Sequence, residues 1–119
     1  MAPVAVMNAP IADRSYWDQW MEDVTGSTET NQAHRDYLRR RGITSEHVFL
    51  QDTPAGTMMT LVWEGITQDD ADRMLQEIIS GEATDHERFM LEELMPKAHG
   101  IDPTEGPPPQ VRHVTTLEP

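Results

Sequence analysis

The five histidines of this sequence are its first candidates for proton transfer, because histidine is the side chain whose ordinary pKa lies closest to neutrality. His47 lies in a run typical of a β-strand, and His86 lies in the first turn of a predicted helix. The helix dipole disfavours the protonated imidazole of His86 and keeps the ring able to accept a proton. We therefore predict both as catalytic bases, against the competing interpretations of a packing residue and a solvated helix-start residue. His34, His99 and His113 rank below them.

Two glutamates accompany these histidines. Glu46 directly precedes His47, and Glu64 closes the next predicted strand. Successive side chains of a strand point to opposite faces, so Glu46 and His47 are expected on different sides of the sheet. A carboxylate bonded to an imidazole orients the ring and stabilises its protonated form. Glu46 and Glu64 are therefore predicted to orient a catalytic histidine.

Aromatic side chains recur where helices and sheet would enclose a pocket. Eight methionines add adaptable apolar lining, which suits either an irregular core or a cavity for a flat apolar molecule. We predict that the aromatic residues contact the substrate, with packing in the core as the alternative. These residues are Trp17, Trp20, Phe49, Trp63 and Phe89.

Several cofactor motifs are missing from the sequence. The segment HERFM lacks the second histidine of the HExxH zinc motif, and no two histidines are spaced at i, i+4. There is no GxGxxG segment, no Walker loop, no GxSxG elbow and no cysteine. We therefore predict no metal site and no cofactor.

The charge balance narrows the classes of partner. Twenty-one acidic against nine basic side chains give a formal charge of −12, which repels phosphate backbones and anionic lipid head groups. No run approaches the roughly 18 apolar residues of a membrane helix, and the apolar opening lacks the basic region of a signal peptide. We expect no nucleic acid partner, no membrane partner and a cytoplasmic location.

Runs rich in β-branched and aromatic residues predict strands over residues 3–9, 44–51 and 57–64. The last two form a hairpin around a turn that contains proline and glycine. Both faces of the hairpin strands carry large apolar side chains, which predicts that both faces of the sheet are covered. A proline-rich connection over 101–109 leads to the alternating segment 110–117, a predicted fourth strand.

Capping patterns predict where the helices begin. Ser15 opens the first helix, in which Gly26 marks an expected kink or break. Thr67 and Thr84, each followed three residues later by an acidic residue, open two further helices. Glycines mark the expected ends: Gly42, Gly81 and Gly100.

This order of elements is βαββαβ with an added helix, which predicts one α+β domain over residues 1–119. The predicted architecture is ferredoxin-like, with a four-stranded antiparallel sheet and helices on one face. The segments YLRRRGITSEHVFLQD, TMMTLVWEG and DHERF resemble a family of small bacterial proteins of unknown function within the dimeric α/β-barrel superfamily. The resemblance covers about residues 3 to 96 and implies a homodimer whose two sheets pack face to face. The acidic and histidine positions of the family pattern are matched by Glu46, Glu64 and His86, whereas Gly26 and the proline-rich tail depart from it.

Two functions from different classes are consistent with these features. The first is a cofactor-independent oxygenase, cyclase or isomerase acting on a hydrophobic, aromatic or polyketide-like metabolite of natural product biosynthesis, by analogy with similar barrels. In this hypothesis His47 or His86 abstracts a proton, Glu46 or Glu64 orients the histidine, and Trp63 forms an apolar wall. The alternative is a non-catalytic binding or assembly module. A haem or metal protein is a third alternative, which colour or metal content would reveal.

Overall fold

The computed structural model describes residues 3–106 and 111–119. Three strands form one antiparallel sheet with β3 in the centre, in the order β1-β3-β2. The strands are β1 (Val4–Pro10), β2 (Ser45–Thr53) and β3 (Gly56–Glu64). Three helices of three turns each are α1 (Arg14–Thr25), α2 (Glu29–Arg40) and α3 (Gln68–Ile79). A last helical segment consists of α4 (Asp85–Phe89), a π-helical stretch (Met90–Leu94) and α5 (Met95–His99). The α+β class and the three predicted strands of the first two-thirds of the chain are confirmed.

Strand register decides which side chains meet the helices. Trp63 in the central strand pairs with Ala5 of β1 and Glu46 of β2, and Trp63 and Ala5 are both buried. The next row pairs Val62 with His47, whose side chain is exposed on the opposite face. The alternation of a strand therefore separates Glu46 from His47, as the sequence predicted.

The long first helix is broken at Gly26. The Gly26 N–H donates to the carbonyl of Glu22 at 2.9 Å and ends α1. Thr28 then caps a new helix, since its hydroxyl accepts from the N–H of Asn31 at 3.0 Å. The single predicted helix is thus two helices, and the Asn31 side-chain amide donates to the Val24 carbonyl at 2.6 Å across the break.

The predicted helix starts are confirmed in two of three cases. Thr67 and Thr84 each form a complete capping box. At the first helix, however, the cap is Asp13 and not Ser15, because the Asp13 carboxylate accepts from the Tyr16 N–H at 3.0 Å. Ser15 lies inside α1.

The π-helical stretch was not foreseen. Pro96 follows it, and this residue has no N–H to donate to Glu92, whose carbonyl its ring would meet in a regular α-helix. A widened turn before Pro96 is the expected accommodation. The segment ends at Gly100, which has a φ of 67°, as predicted from the sequence.

The helices cover one face of the sheet and leave the other open. Buried side chains from the sheet, including Met59 and Trp63, pack against Trp17, Tyr37 and Met74 of the helices. We name the opposite surface the open face; it carries Val6, His47, Phe49, Met58 and Val62. Phe49 is 57% exposed there. The predicted cover on both faces is therefore not formed within one chain.

The predicted fourth strand is not confirmed. Residues 111–119 form no strand, and Val114 and Leu117 are 81% and 89% exposed. The free edge of β1 is already occupied in part, because the Gln68 side chain bonds both the N–H of Val6 (2.9 Å) and its carbonyl (3.0 Å). Gln110 and residues 107–109 of the predicted proline-rich connection lie outside the described residues.

Candidate proton-transfer site

Three side chains from three elements form a continuous chain of hydrogen bonds, which we call the triad (Glu46, His34 and His86). His34 of α2 lies at its centre: Nε2 is 2.9 Å from Glu46 Oε1, and Nδ1 is 3.0 Å from His86 Nε2. His34 is buried. Each of its two ring nitrogens thus has one partner, one in the sheet and one in α4.

The charge of Glu46 fixes the direction of the first of these hydrogen bonds. An ionised carboxylate only accepts, so His34 Nε2 donates its proton to Glu46. When His34 is neutral, its Nδ1 offers a lone pair, and His86 Nε2 donates to it. In that state the remaining nitrogen, His86 Nδ1, has no proton and no hydrogen-bond partner among the described residues. No buried side-chain nitrogen or oxygen in those residues lacks a partner, so His86 Nδ1 reaches the surface.

Glu46 is held in its ionised form. Burial acts to raise the pKa of Glu46, but hydrogen bonds from His34 and from Trp63 outweigh it and keep the pKa below its ordinary value. The Trp63 indole N–H donates to Glu46 Oε2 at 2.6 Å. Both carboxylate oxygens are therefore fixed, and Trp63 anchors the triad rather than only lining a wall.

His86 is neutral at physiological pH. Burial, followed by repulsion from His34, lowers the pKa of His86 to about 4, against the opposing charges of Glu87 and Glu46. The neutral ring is the state expected from the sequence, although the main cause is burial and not the helix dipole. This imidazole can accept a proton at Nδ1.

An ion cluster beside His86 ties its helix to α2. Glu87 is fully buried and accepts hydrogen bonds from the Thr84 N–H (2.9 Å), from Arg41 Nε (2.6 Å) and from Arg40. Burial acts to raise the pKa of Glu87, but the hydrogen bonds from Arg41, Thr84 and Arg40 and the positive charge of Arg41 together outweigh it and lower the pKa to about 2. Because Arg40 and Arg41 end the helix that carries the central histidine, this cluster fixes the spacing between the two imidazoles of the triad.

A cavity of about 360 Å³ lies between the sheet and the helices. Its volume falls within the range of small-molecule sites. Glu46 and His34 form part of its wall, and His86 is not among its lining residues in the described chain. Most of the wall is apolar or aromatic and includes Trp17, Tyr37, Met59, Trp63, Met74 and Leu91.

A second depression, which we call the outer groove, lies between α1, α2 and α4 and measures about 350 Å³. His86 opens onto it. Trp20 stacks on His86 and on Phe89, with ring centroids 5.8 Å and 5.9 Å apart. The triad therefore runs from the cavity wall at Glu46 to an aromatic surface groove at His86. Acidic side chains complete the groove: Asp23, Glu29 and Asp85.

The predicted site residues fall into separate groups. Glu46 and His86 are brought together through His34. His47 and Glu64 pair with each other at 3.2 Å, half-exposed on the side of the sheet away from the triad. Of the predicted aromatic contacts, Trp17, Trp20 and Trp63 line the cavity, Trp20 and Phe89 line the outer groove, and Phe49 lies on the open face.

His34 is the member of the triad that we ranked below His47 and His86 from the sequence. The buried residues of α2 are His34 and Tyr37. Their spacing of three residues is helical, and this spacing is the signal that could have identified His34.

No protein-family model, curated protein or solved structure matches this chain. Within residues 3–106 and 111–119, no helix has both the length and the apolar character to cross a membrane. The same residues contain no group of three or more histidine and carboxylate side chains arranged to hold a metal ion.

Proposed function

We propose that this protein is a cofactor-independent enzyme that abstracts a proton from an aromatic or polyketide-like molecule bound at the outer groove. The observation that carries the proposal is the triad, in which an ionised carboxylate and two imidazoles end in a free lone pair at the surface. An oxygenase, a cyclase or an isomerase of this substrate class would each begin with such a step.

Each proton in the step has a defined destination. A phenolic O–H or an acidified C–H of the substrate gives its proton to His86 Nδ1. His86 Nε2 passes its own proton to His34 Nδ1, so that His34 becomes an imidazolium. Glu46, 2.9 Å from His34 Nε2, stabilises that positive charge. The substrate keeps the electron pair as a phenolate or enolate.

The triad explains how His86 can accept a proton although its pKa is low. Isolated protonation of His86 is unfavourable, since its pKa lies at about 4. In the relay the charge does not remain on His86 but moves to His34, beside a buried carboxylate. Trp20 and Phe89 supply aromatic surface on which a flat substrate can stack.

The test is a screen of hydroxyaromatic and polyketide-like compounds by mass spectrometry, followed by single variants. His86→Gln, His34→Gln and Glu46→Gln are each expected to lower turnover at least about 100-fold, the usual contribution of a general base. His113→Gln in the exposed tail is the matched control and keeps full turnover. If His47→Gln lost turnover and His34→Gln kept it, the chemistry would belong to the other side of the sheet. Retention of a compound without conversion would support the second candidate, a non-catalytic binding module.

The proposal extends to the assembly. The strand order β1-β3-β2 with antiparallel neighbours agrees with three of the four strands of a ferredoxin-like sheet. The open face presents Phe49, Val62 and Met58 to solvent in one chain, which favours a homodimer of the α/β-barrel type. Membership of that superfamily is part of the same proposal.

A further inference from the structure

Two strong hydrogen-bond donors in the cavity are paired only with sulfur. The Tyr37 hydroxyl donates to Met74 Sδ at 3.7 Å, and the Trp17 indole N–H donates to Met59 Sδ at 3.3 Å. All four residues line the cavity. A thioether is a weak acceptor, so both donors would gain from an oxygen acceptor in its place.

Two other polar groups of the cavity wall, Glu46 and His34, are already engaged with strong partners. Both oxygens of Glu46 accept hydrogen bonds, from His34 and from Trp63, and both nitrogens of His34 are used within the triad. Among these four side chains, only Tyr37 and Trp17 therefore offer a ligand a donor that is paired with sulfur alone. The ionised Glu46 disfavours an anionic ligand beside it.

Tyr37 remains a donor over the whole accessible pH range. Burial, with the nearby charges of Glu46 and Glu87, raises the pKa of the Tyr37 phenol far above its ordinary value. Its hydroxyl thus keeps its proton, as a hydrogen-bond donor to a neutral carbonyl must.

We infer that the cavity binds a neutral, apolar molecule that carries a carbonyl oxygen, with Tyr37 as its principal donor and Trp17 as the second. The carbonyl oxygen of the ligand replaces Met74 Sδ as the acceptor of the Tyr37 hydroxyl. The flexible methionine side chains adapt to the apolar body of the ligand. This site is separate from the proposed reaction, because it uses neither His86 nor the outer groove.

The experiment compares two probes of the same skeleton, 9-fluorenone and fluorene, which differ in the carbonyl alone. Wild-type protein is expected to bind fluorenone about tenfold more tightly than fluorene, the effect of one neutral hydrogen bond. The infrared carbonyl stretch of bound fluorenone should shift to lower frequency. In Tyr37→Phe, which keeps the ring, fluorene binding is expected to persist while the preference for fluorenone disappears.

Two further measurements locate the site and guard against a misfolded variant. The ¹³C-methyl signals of Met59 and Met74 should move on binding, while that of Met58, on the open face, should not. Met74→Leu removes the competing sulfur and should widen the preference for fluorenone. Equal affinity of wild-type protein for both probes, no binding of either probe, or methyl shifts at Met58 alone would overturn the inference. None of these readouts depends on turnover, so they remain informative if the proposed reaction fails.

Discussion

At the scale of the residue, the site depends on how three side chains set one another's protonation states. Glu46 stays ionised although it is buried, because His34 and Trp63 donate to it. His86 stays neutral, because it is partly buried beside His34. The sequence identified Glu46 and His86 as candidates for proton transfer. The imidazole of His34, which joins them, connects the two groups by hydrogen bonds.

The low pKa of His86 predicts the protonation state of this ring, whether or not a substrate is known. Its imidazole should stay neutral down to about pH 4, whereas an unperturbed histidine would take up a proton near pH 6.5. An NMR titration of the His86 ring nitrogens between pH 8 and pH 3 distinguishes the two, and a transition of this ring near pH 6.5 would refute the neutral state of His86.

The buried charge of Glu87 predicts a second pH effect, on stability. Its folded pKa of about 2 lies below the ordinary value, so Glu87 contributes stability above about pH 4.3 that is lost as the pH falls towards 2. Glu87→Gln is expected to lower the free energy of unfolding by about 3 kcal/mol at pH 7, because it leaves the arginine pair without its buried partner. The deficit should shrink in acid.

Glu77 offers the matched control for this prediction. It also pairs with Arg41, at 2.6 Å, but its side chain is 38% exposed. Glu77→Gln should therefore cost less than about 1 kcal/mol. Urea denaturation at pH 7 and pH 3 measures both variants, and equal losses would show that the burial of Glu87 is not what makes it important.

At the scale of the element, the triad depends on how α2 and α4 are anchored. The break at Gly26 separates α2 from α1, and the cluster of Glu87 with Arg40 and Arg41 fixes α4 against the end of α2. The π-helical stretch that follows carries Met90, Leu91 and Leu94, which line the cavity. The site is therefore held by contacts between helix ends and not by any one helix.

The turn after β3 gives a test at this scale. Gly65 has a φ of 105°, and an added Cβ would lie 2.6 Å from the Gly42 carbonyl oxygen. Gly81 has a similar φ of 101° but open space around it. Gly81→Ala should lower the free energy of unfolding by about 1 kcal/mol, because of the backbone conformation alone. Gly65→Ala should lower it by about 3 kcal/mol, since the contact with Gly42 adds to that strain. Thermal unfolding of both variants measures the difference, and equal costs would mean that the close approach is relieved without penalty.

At the scale of the whole molecule, the open face is the feature that one chain does not explain. Helices cover the side of the sheet that bears Trp63 and Met59, whereas Phe49, His47 and Val62 remain on the other side. An apolar surface at the centre of a sheet is typical of an interface. The proposed homodimer would bury it.

This proposal predicts the oligomeric state and its sensitivity to one residue. Wild-type protein should sediment as a dimer at micromolar concentration, and Phe49→Lys should shift it to the monomer, because a buried unpaired charge opposes association. Phe89→Lys, on the helical side and also exposed, should leave the dimer intact. If the wild-type protein were a monomer in dilute solution, the proposed dimeric α/β barrel would be wrong.

The sequence by itself determined the local structure of this protein. Helix caps at Thr67 and Thr84, the break at Gly26, and the opposite directions of Glu46 and His47 follow from interactions within a few residues, which the chain carries wherever it folds. Only the tertiary structure decided that His34 meets His86, 52 positions away, and that residues 111–119 do not join the sheet. The physical reason is the same in both cases. The contacts of His34 with Glu46 and His86 and the occupation of the β1 edge by Gln68 depend on packing between distant segments, and no short-range pattern encodes that packing.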